Sequence, residues 1–260
     1  MTAAPPWPLA AFLTSLPLDF PQAVARAAAL GFTHVDPVAL VDRPAPHLDA
    51  LADAGVLVGC ASVGRDLPPG HALDAADVQR RRAALRLMQR QLDDAARLGA
   101  TCAYVVPGAD AGEVFTEAIG LLADHAARRM MRLCVEHIPG RALASAAATL
   151  AWLRRLDHAN LFLLLDVGHC LITGEDAAAV VRDAGPLLGQ VHLDDNDGVG
   201  DLHWPLLKGR LTIDDLRRLA EALRATDYHG GLALELNAAH ADPEAALTDG
   251  RAIVLEALAG

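Results

Sequence analysis

Apolar residues in this chain gather in short uninterrupted runs, and between the runs they recur every three or four positions. The first pattern suits strands covered on both faces, and the second suits amphipathic helices. The clearest run is Leu161-Phe162-Leu163-Leu164-Leu165, which ends abruptly in Asp166 and is followed three residues later by His169. On this basis strands are predicted at Leu9–Leu16, Phe32–Asp36, Gly55–Val63, Thr101–Val106, Met131–Glu136, Leu161–Asp166, Gln190–Leu193 and Leu232–Leu236. Helices are predicted from Asp19-Phe20-Pro21 to Leu30, then at His47–Ala54, Ala75–Leu98, Gly112–Met130, Leu143–Leu156, Asp176–Asp183, Ile213–Arg224 and Pro243–Leu258. Asp19 followed closely by Pro21 reads as a cap with a helix-compatible proline, while Gly31 and Gly99 read as stops.

Eight strand–helix units alternate without a composition break that would mark a linker. Alternation predicts an α/β fold with a parallel sheet, and eight units predict closure into a single (β/α)8 TIM barrel spanning residues 1–260. The connection from Asp194 to Leu211 is long for such a fold, so it is either functional or poorly ordered.

Hydrophobic residues make up 53% of the chain and charged residues 21%, a globular composition with ample material for a core. A net charge of −11 argues against a general nucleic-acid or anionic-membrane surface. Arg80, Arg81, Arg82, Arg86 and Arg90 are then the solvated face of a long helix whose apolar stripe is Leu85, Met88, Leu92 and Ala95. Cys60, Cys102, Cys134 and Cys170 form no C-x-x-C pair and read as small core residues. No run reaches the roughly 18 apolar residues of a membrane span, and Met1–Pro8 lacks a basic segment followed by an apolar one. A soluble, cytoplasmic protein with reduced thiols is expected.

In a parallel barrel the C-terminal strand ends share one rim, and active sites lie there. Four consecutive predicted strands end in Glu136, Asp166, His192 and Glu235. Any one of them has an ordinary explanation as a helix cap or a satisfied buried group. Four in succession do not, because gathering like charges in one place is costly unless a cation neutralises them. Three carboxylates and one imidazole form a hard, oxygen-rich set suited to one divalent metal: Mn²⁺ by preference, with Mg²⁺, Co²⁺ or Zn²⁺ as alternatives.

The fragments Val135-Glu136-His137, Asp166-Val167-Gly168-His169, Val191-His192-Leu193-Asp194, Asp201-Leu202-His203 and Leu234-Glu235 occur in the order and at the strand positions of a known family. Through them nearly the whole chain resembles the xylose isomerase-like barrel superfamily, within its sugar phosphate isomerase/epimerase group. The resemblance implies a metal held by Glu136, Asp166, His192 and Glu235, the use of Glu136 and Glu235 as proton carriers as well as ligands, and His169 near the substrate. It implies isomerisation or epimerisation of a keto sugar or polyol, or dehydration of a cyclic keto compound. Two departures set the chain apart from ketose 3-epimerases. The stretch His137-Ile138-Pro139-Gly140-Arg141-Ala142 lacks their further glutamate, and Gly198 stands where they place an arginine.

The chemistry is compatible without the family. A metal-polarised carbonyl lets a carboxylate remove the neighbouring proton through an enediolate, with Glu136 and Glu235 as base and acid. His169 would orient a substrate oxygen, and His203, Arg141 and Lys208 are further substrate-binding candidates that also read as loop residues. Asp194, Asp195, Asp197 and Asp201 make the long connection acidic, which disfavours a phosphorylated ligand unless the loop is solvated and remote. The expected partner is a small-molecule keto sugar or polyol, with homo-oligomerisation left open. A dehydratase would use the same enolate to expel a β-leaving group, and a non-catalytic sugar-binding barrel would retain the site without proton exchange.

Overall fold

The computed structural model describes residues 7–259. Nine strands occur among them: β1 (Leu9–Phe12), β2 (His34–Asp36), β3 (Leu57–Val58), β4 (Cys60–Val63), β5 (Cys102–Val105), β6 (Arg132–Glu136), β7 (Leu161–Asp166), β8 (Leu188–Leu193) and β9 (Gly231–Leu234). All pairings are parallel, in the order β3-β2-β1-β9-β8-β7-β6-β5-β4. Around them run α1 (Phe20–Ala29), α2 (Pro46–Ala54), α3 (Val78–Arg97), α4 (Glu113–Arg128), α5 (Ala146–Leu156), α6 (Val167–Thr173), α7 (Ala177–Ala184), α8 (Ile213–Ala225) and α9 (Pro243–Ala259). This is an α/β TIM barrel. None of the described helices is long and apolar enough to cross a membrane.

The nine strands fall where the eight were predicted, with the third divided and the first shorter than expected: it ends at Phe12, and Leu13–Ser15 form a 3-10 turn. At Gly59 the run Gly55–Val63 changes partner: β3 pairs with β2, and β4 pairs with β5. A Cβ on Gly59 would lie 2.7 Å from Asp36 Oδ1. That oxygen accepts the Cys60 N–H at 2.8 Å, so a side chain takes the place of a ladder carbonyl. Beyond it, Ser62 donates to Pro37 O and accepts from the Ala39 N–H, both at 2.9 Å, which restores the contact on that side. One chain segment thereby closes the ring.

Caps account for several helix starts. Asp19, Asp77 and Ser145 each accept a first-turn N–H, and Thr212 forms a full capping box with Asp215. On α3, Met88, Leu92 and Ala95 are buried and Leu85 partly so, while Arg80, Arg82, Arg86 and Arg90 are exposed. The hydrophobic pattern does not reveal α6, which begins directly after Asp166.

Side chains along each strand alternate between two faces. Phe12, Cys60, Cys102, Tyr104, Cys134 and Leu164 form a small buried cluster of their own. The neighbouring positions, such as Ala11, Ala61, Ala103, Val135 and Leu165, join the larger apolar layer. Two residues further along the same faces, Glu136 follows Cys134 and Asp166 follows Leu164. The small cluster is therefore the floor beneath the rim chemistry, and the His192 ring meets Tyr104 edge-on at 5.0 Å and Phe12 at 6.0 Å. All four cysteines are buried and unpaired, as their spacing suggests.

Candidate metal centre

Parallel register brings the strand ends level. Asp166 stands opposite His192 across β7 and β8, Glu136 ends β6, and Glu235 follows β9. One donor atom from each of Glu136, Asp166, His192 and Glu235 lies within 4.8 Å of all the others, and all four residues are buried. His192 Nδ1 is 2.6 Å from Glu235 Oε2 and 3.9 Å from Glu136 Oε1. Asp166 Oδ2, Glu235 Oε2 and both His192 ring nitrogens still lack a properly aligned hydrogen bond. Buried polar atoms left in this state are costly, and the single donor atom that each of the four residues brings to the group makes a set that could hold a cation. The residues fit a divalent metal.

Asp166 serves two ends. Its Oδ1 caps α6 by accepting the His169 N–H at 2.7 Å, while Oδ2 remains free for the cluster. Helix α6 can start there because Gly168 has no side chain. Its N–H donates to Asp194 Oδ1 at 2.8 Å, and a Cβ would collide with Asp194 and Asn196. The helix turns His169 inward, where Nδ1 contacts His137 O at 2.7 Å. The His137 ring accepts the Asp166 N–H at 3.2 Å.

His169 also belongs to a second group. Its Nε2 lies 3.2 Å from Asp201 Oδ1, which is 3.1 Å from His203 Nε2, and His203 Nδ1 lies 2.9 Å from Asp194 Oδ2. His169, Asp201 and His203 could hold a cation, as could Asp166, Asp194 and His203.

The acidic connection is not remote from the rim, and only part of it is solvated: Asp197 and Asp201 are exposed. Asp194, Asp195 and Asn196 are fully buried. Asp195 accepts the N–H groups of Gly209 and Leu211, and Asn196 Oδ1 accepts those of Leu202 and His203. The Asp195–Trp204 bridge completes a folded wall beside the rim.

Electrostatics follow from this crowding. Burial, reinforced by Glu235, pushes Glu136 up to about 8. Burial also opposes the charge on Glu235, but His192 outweighs it and holds that carboxyl down at about 2. For His192 itself burial is overcome by Glu235, which raises the imidazole to about 9. Burial is likewise overcome at His169 by Asp166 and at His203 by Asp194, giving about 10 and about 11. Without a cation, protonated imidazoles supply the counter-charge.

Sequence reasoning missed Arg65. Its Nη2 donates to Glu235 Oε1 at 3.1 Å and to the Tyr104 hydroxyl at 3.2 Å, and its Nε donates to Ser62 Oγ at 3.0 Å. Strand β4 ends in Val63 and is followed by Gly64, so no charged strand end drew attention to the residue after them. Of the remaining candidates, Arg141 lines a cavity that Arg65 also lines. Lys208 does not join the cluster: it is exposed and lines a separate cavity against α9, with His240 and Asp242.

A family model described as "Xylose isomerase-like TIM barrel" matches residues 24–257. No curated protein matches the chain significantly. Among solved structures, D-psicose 3-epimerase in the presence of D-fructose has 20% identity and a TM-score of 0.83, covering 97% of this chain and 99% of the other. The 3-keto-D-glucoside 4-epimerase from E. coli has 20% identity and a TM-score of 0.81, covering 95% and 98%. D-allulose 3-epimerase from Methylomonas sp. has 21% identity and a TM-score of 0.79, covering 99% and 100%. At these identities the likeness concerns the fold.

Proposed function

The chain belongs to the xylose isomerase-like TIM barrel family, and on that premise we propose that it is a divalent-metal-dependent isomerase or epimerase of a keto sugar or polyol. The observation that carries this reading is the convergence of Glu136, Asp166, His192 and Glu235, with Asp166 Oδ2 and His192 Nε2 buried and without a hydrogen-bond partner among the described residues. The names of the similar solved structures, which act on D-psicose, D-allulose and 3-keto-D-glucosides, support a keto-sugar substrate.

A divalent cation such as Mn²⁺, bound by these four residues, supplies polarisation of the substrate carbonyl and stabilises the charge left when a neighbouring proton departs. The chain's own residues do the rest. Glu136 and Glu235 reach the centre from β6 and from the end of β9, which lie on opposite flanks of the β7–β8 pair. One takes the proton from the carbon beside the carbonyl, and the other returns a proton to the opposite face or to the adjacent carbon. His169, fixed by the His137 carbonyl, and His203, fixed by Asp194, orient substrate oxygens. Tyr104, whose hydroxyl is kept protonated by burial beside Glu235, stays a donor beneath the substrate.

Metal analysis of the purified protein and of its His192→Ala variant tests the centre. The native protein is expected to retain about one equivalent of metal and the variant to lose most of it. Equal content in both would remove the basis for this reading.

A further inference from the structure

A second cavity, of about 400 Å³, opens between the segment after β4 and the segment after β5. Arg65 forms part of its wall and also touches Glu235, so one guanidinium joins this cavity to the metal centre. Its Nη1 donates to no group among the described residues. Arg141, in the wall as well, is exposed and has no ion pair or side-chain hydrogen bond among the described residues. Arg141 has both arms of its planar fork free for a carboxylate, and Arg65 adds the N–H groups of Nη1, its Nε and Nη2 being held by Ser62, Tyr104 and Glu235; together they make a site for an oxyanion.

The rest of the wall limits which oxyanion fits. Asp66 and Asp74 also line the cavity, and Asp74 is committed to the N–H groups of Ala109 and Asp110 at 2.7 and 3.1 Å. The two acids offset the two arginines in formal charge and Glu235 holds Arg65 besides, so the wall has no excess positive charge and an oxyanion is held by the free N–H donors themselves, which disfavours a dianion. Val63, Leu73, Met88 and Phe115 give an apolar flank for a carbon skeleton.

We propose that this cavity binds a carboxylate at the far end of the substrate, so that the substrate is a keto sugar acid. The proposal rests on reading the Glu136–Glu235 centre as the place of reaction, and it narrows the substrate class of that same site.

Three probes test it: a neutral ketohexose, the same ketose with a terminal carboxylate, and the same ketose with a terminal phosphate. Each is titrated calorimetrically into the protein with and without Mn²⁺, and each is followed for solvent-deuterium incorporation by the Mn²⁺-loaded protein. Native protein is expected to favour the carboxylate over the neutral sugar by roughly tenfold to a hundredfold, the range for a hydrogen-bonded charge. The Arg141→Met variant, altered at an exposed position, is expected to lose that advantage. Equal handling of the neutral sugar, preference for the phosphate, or an advantage unchanged in Arg141→Met overturns the proposal, even where deuterium exchange upholds the reaction. Carboxylate binding that depends on Arg141, with no exchange into any probe, upholds the cavity and overturns the reaction. Neither binding nor exchange overturns both.

Discussion

Glu136 and Glu235 present oxygens to the same point but in different surroundings. Glu235 is gripped by Arg65 and His192, at 3.1 and 2.6 Å. Among the described residues Glu136 has only His169 and His192, each at 3.9 Å. Replacing either carboxylate with glutamine keeps its shape and removes its capacity to accept a proton. Losses of about 10²–10⁴-fold in turnover are expected for a proton carrier. The measurement is solvent-deuterium incorporation into a turned-over keto sugar at saturating metal with occupancy confirmed, and native-like exchange in both variants would exclude the pair. These carboxylates were legible in the sequence because each closes an apolar run, where an ionised group has no reason to stand unless something binds it. Arg65 was not, because its partner Glu235 lies 170 residues away and only the closed ring brings them together.

At the level of elements, the loop after α6 supports a helix it does not belong to. Glu175 accepts the Ala146 and Ala147 N–H groups at the start of α5, at 3.0 and 2.8 Å, and the Thr173 hydroxyl at 2.7 Å. These bonds outweigh partial burial and lower the Glu175 carboxyl below its ordinary 4.5. A depressed carboxyl stabilises the folded state above its unfolded value and loses that contribution as the pH falls through its folded value. Glu175→Gln is therefore expected to cost about 1 kcal/mol at pH 7, the scale of a helix cap. Its deficit in thermal denaturation should shrink as the pH is taken below 4.5. Widening of that deficit at low pH would refute the assignment. Strand and helix positions were legible from period and punctuation. Helix α6 was not, because Val167-Gly168-His169 is a poor helical start held in place by Asp194 from another strand end. Whether the acidic connection was solvated stayed open in the sequence, because the burial of Asp194, Asp195 and Asn196 depends on N–H groups brought to them by the fold.

For the molecule as a whole, closure depends on Gly59. A side chain there would strike Asp36, so Gly59→Ala is expected to destabilise by about 1–3 kcal/mol, the usual cost of overfilling a packed interior. That corresponds to a fall of several degrees in melting temperature for a chain of this size. An unchanged melting temperature would show that the ring tolerates displacement of Asp36. Asp36 itself carries a different consequence. Like a zip with one removable tooth, this ring is fastened at Cys60 by a side chain that mutation can delete, whereas mutation leaves backbone carbonyls in place. In Asp36→Ala the Cys60 amide should become a point of fast hydrogen–deuterium exchange, with the protection of Val135 and Leu163 changing far less. A breach confined to that one amide would make the protein a ring that can be unfastened at a chosen place while the rest of it stays shut.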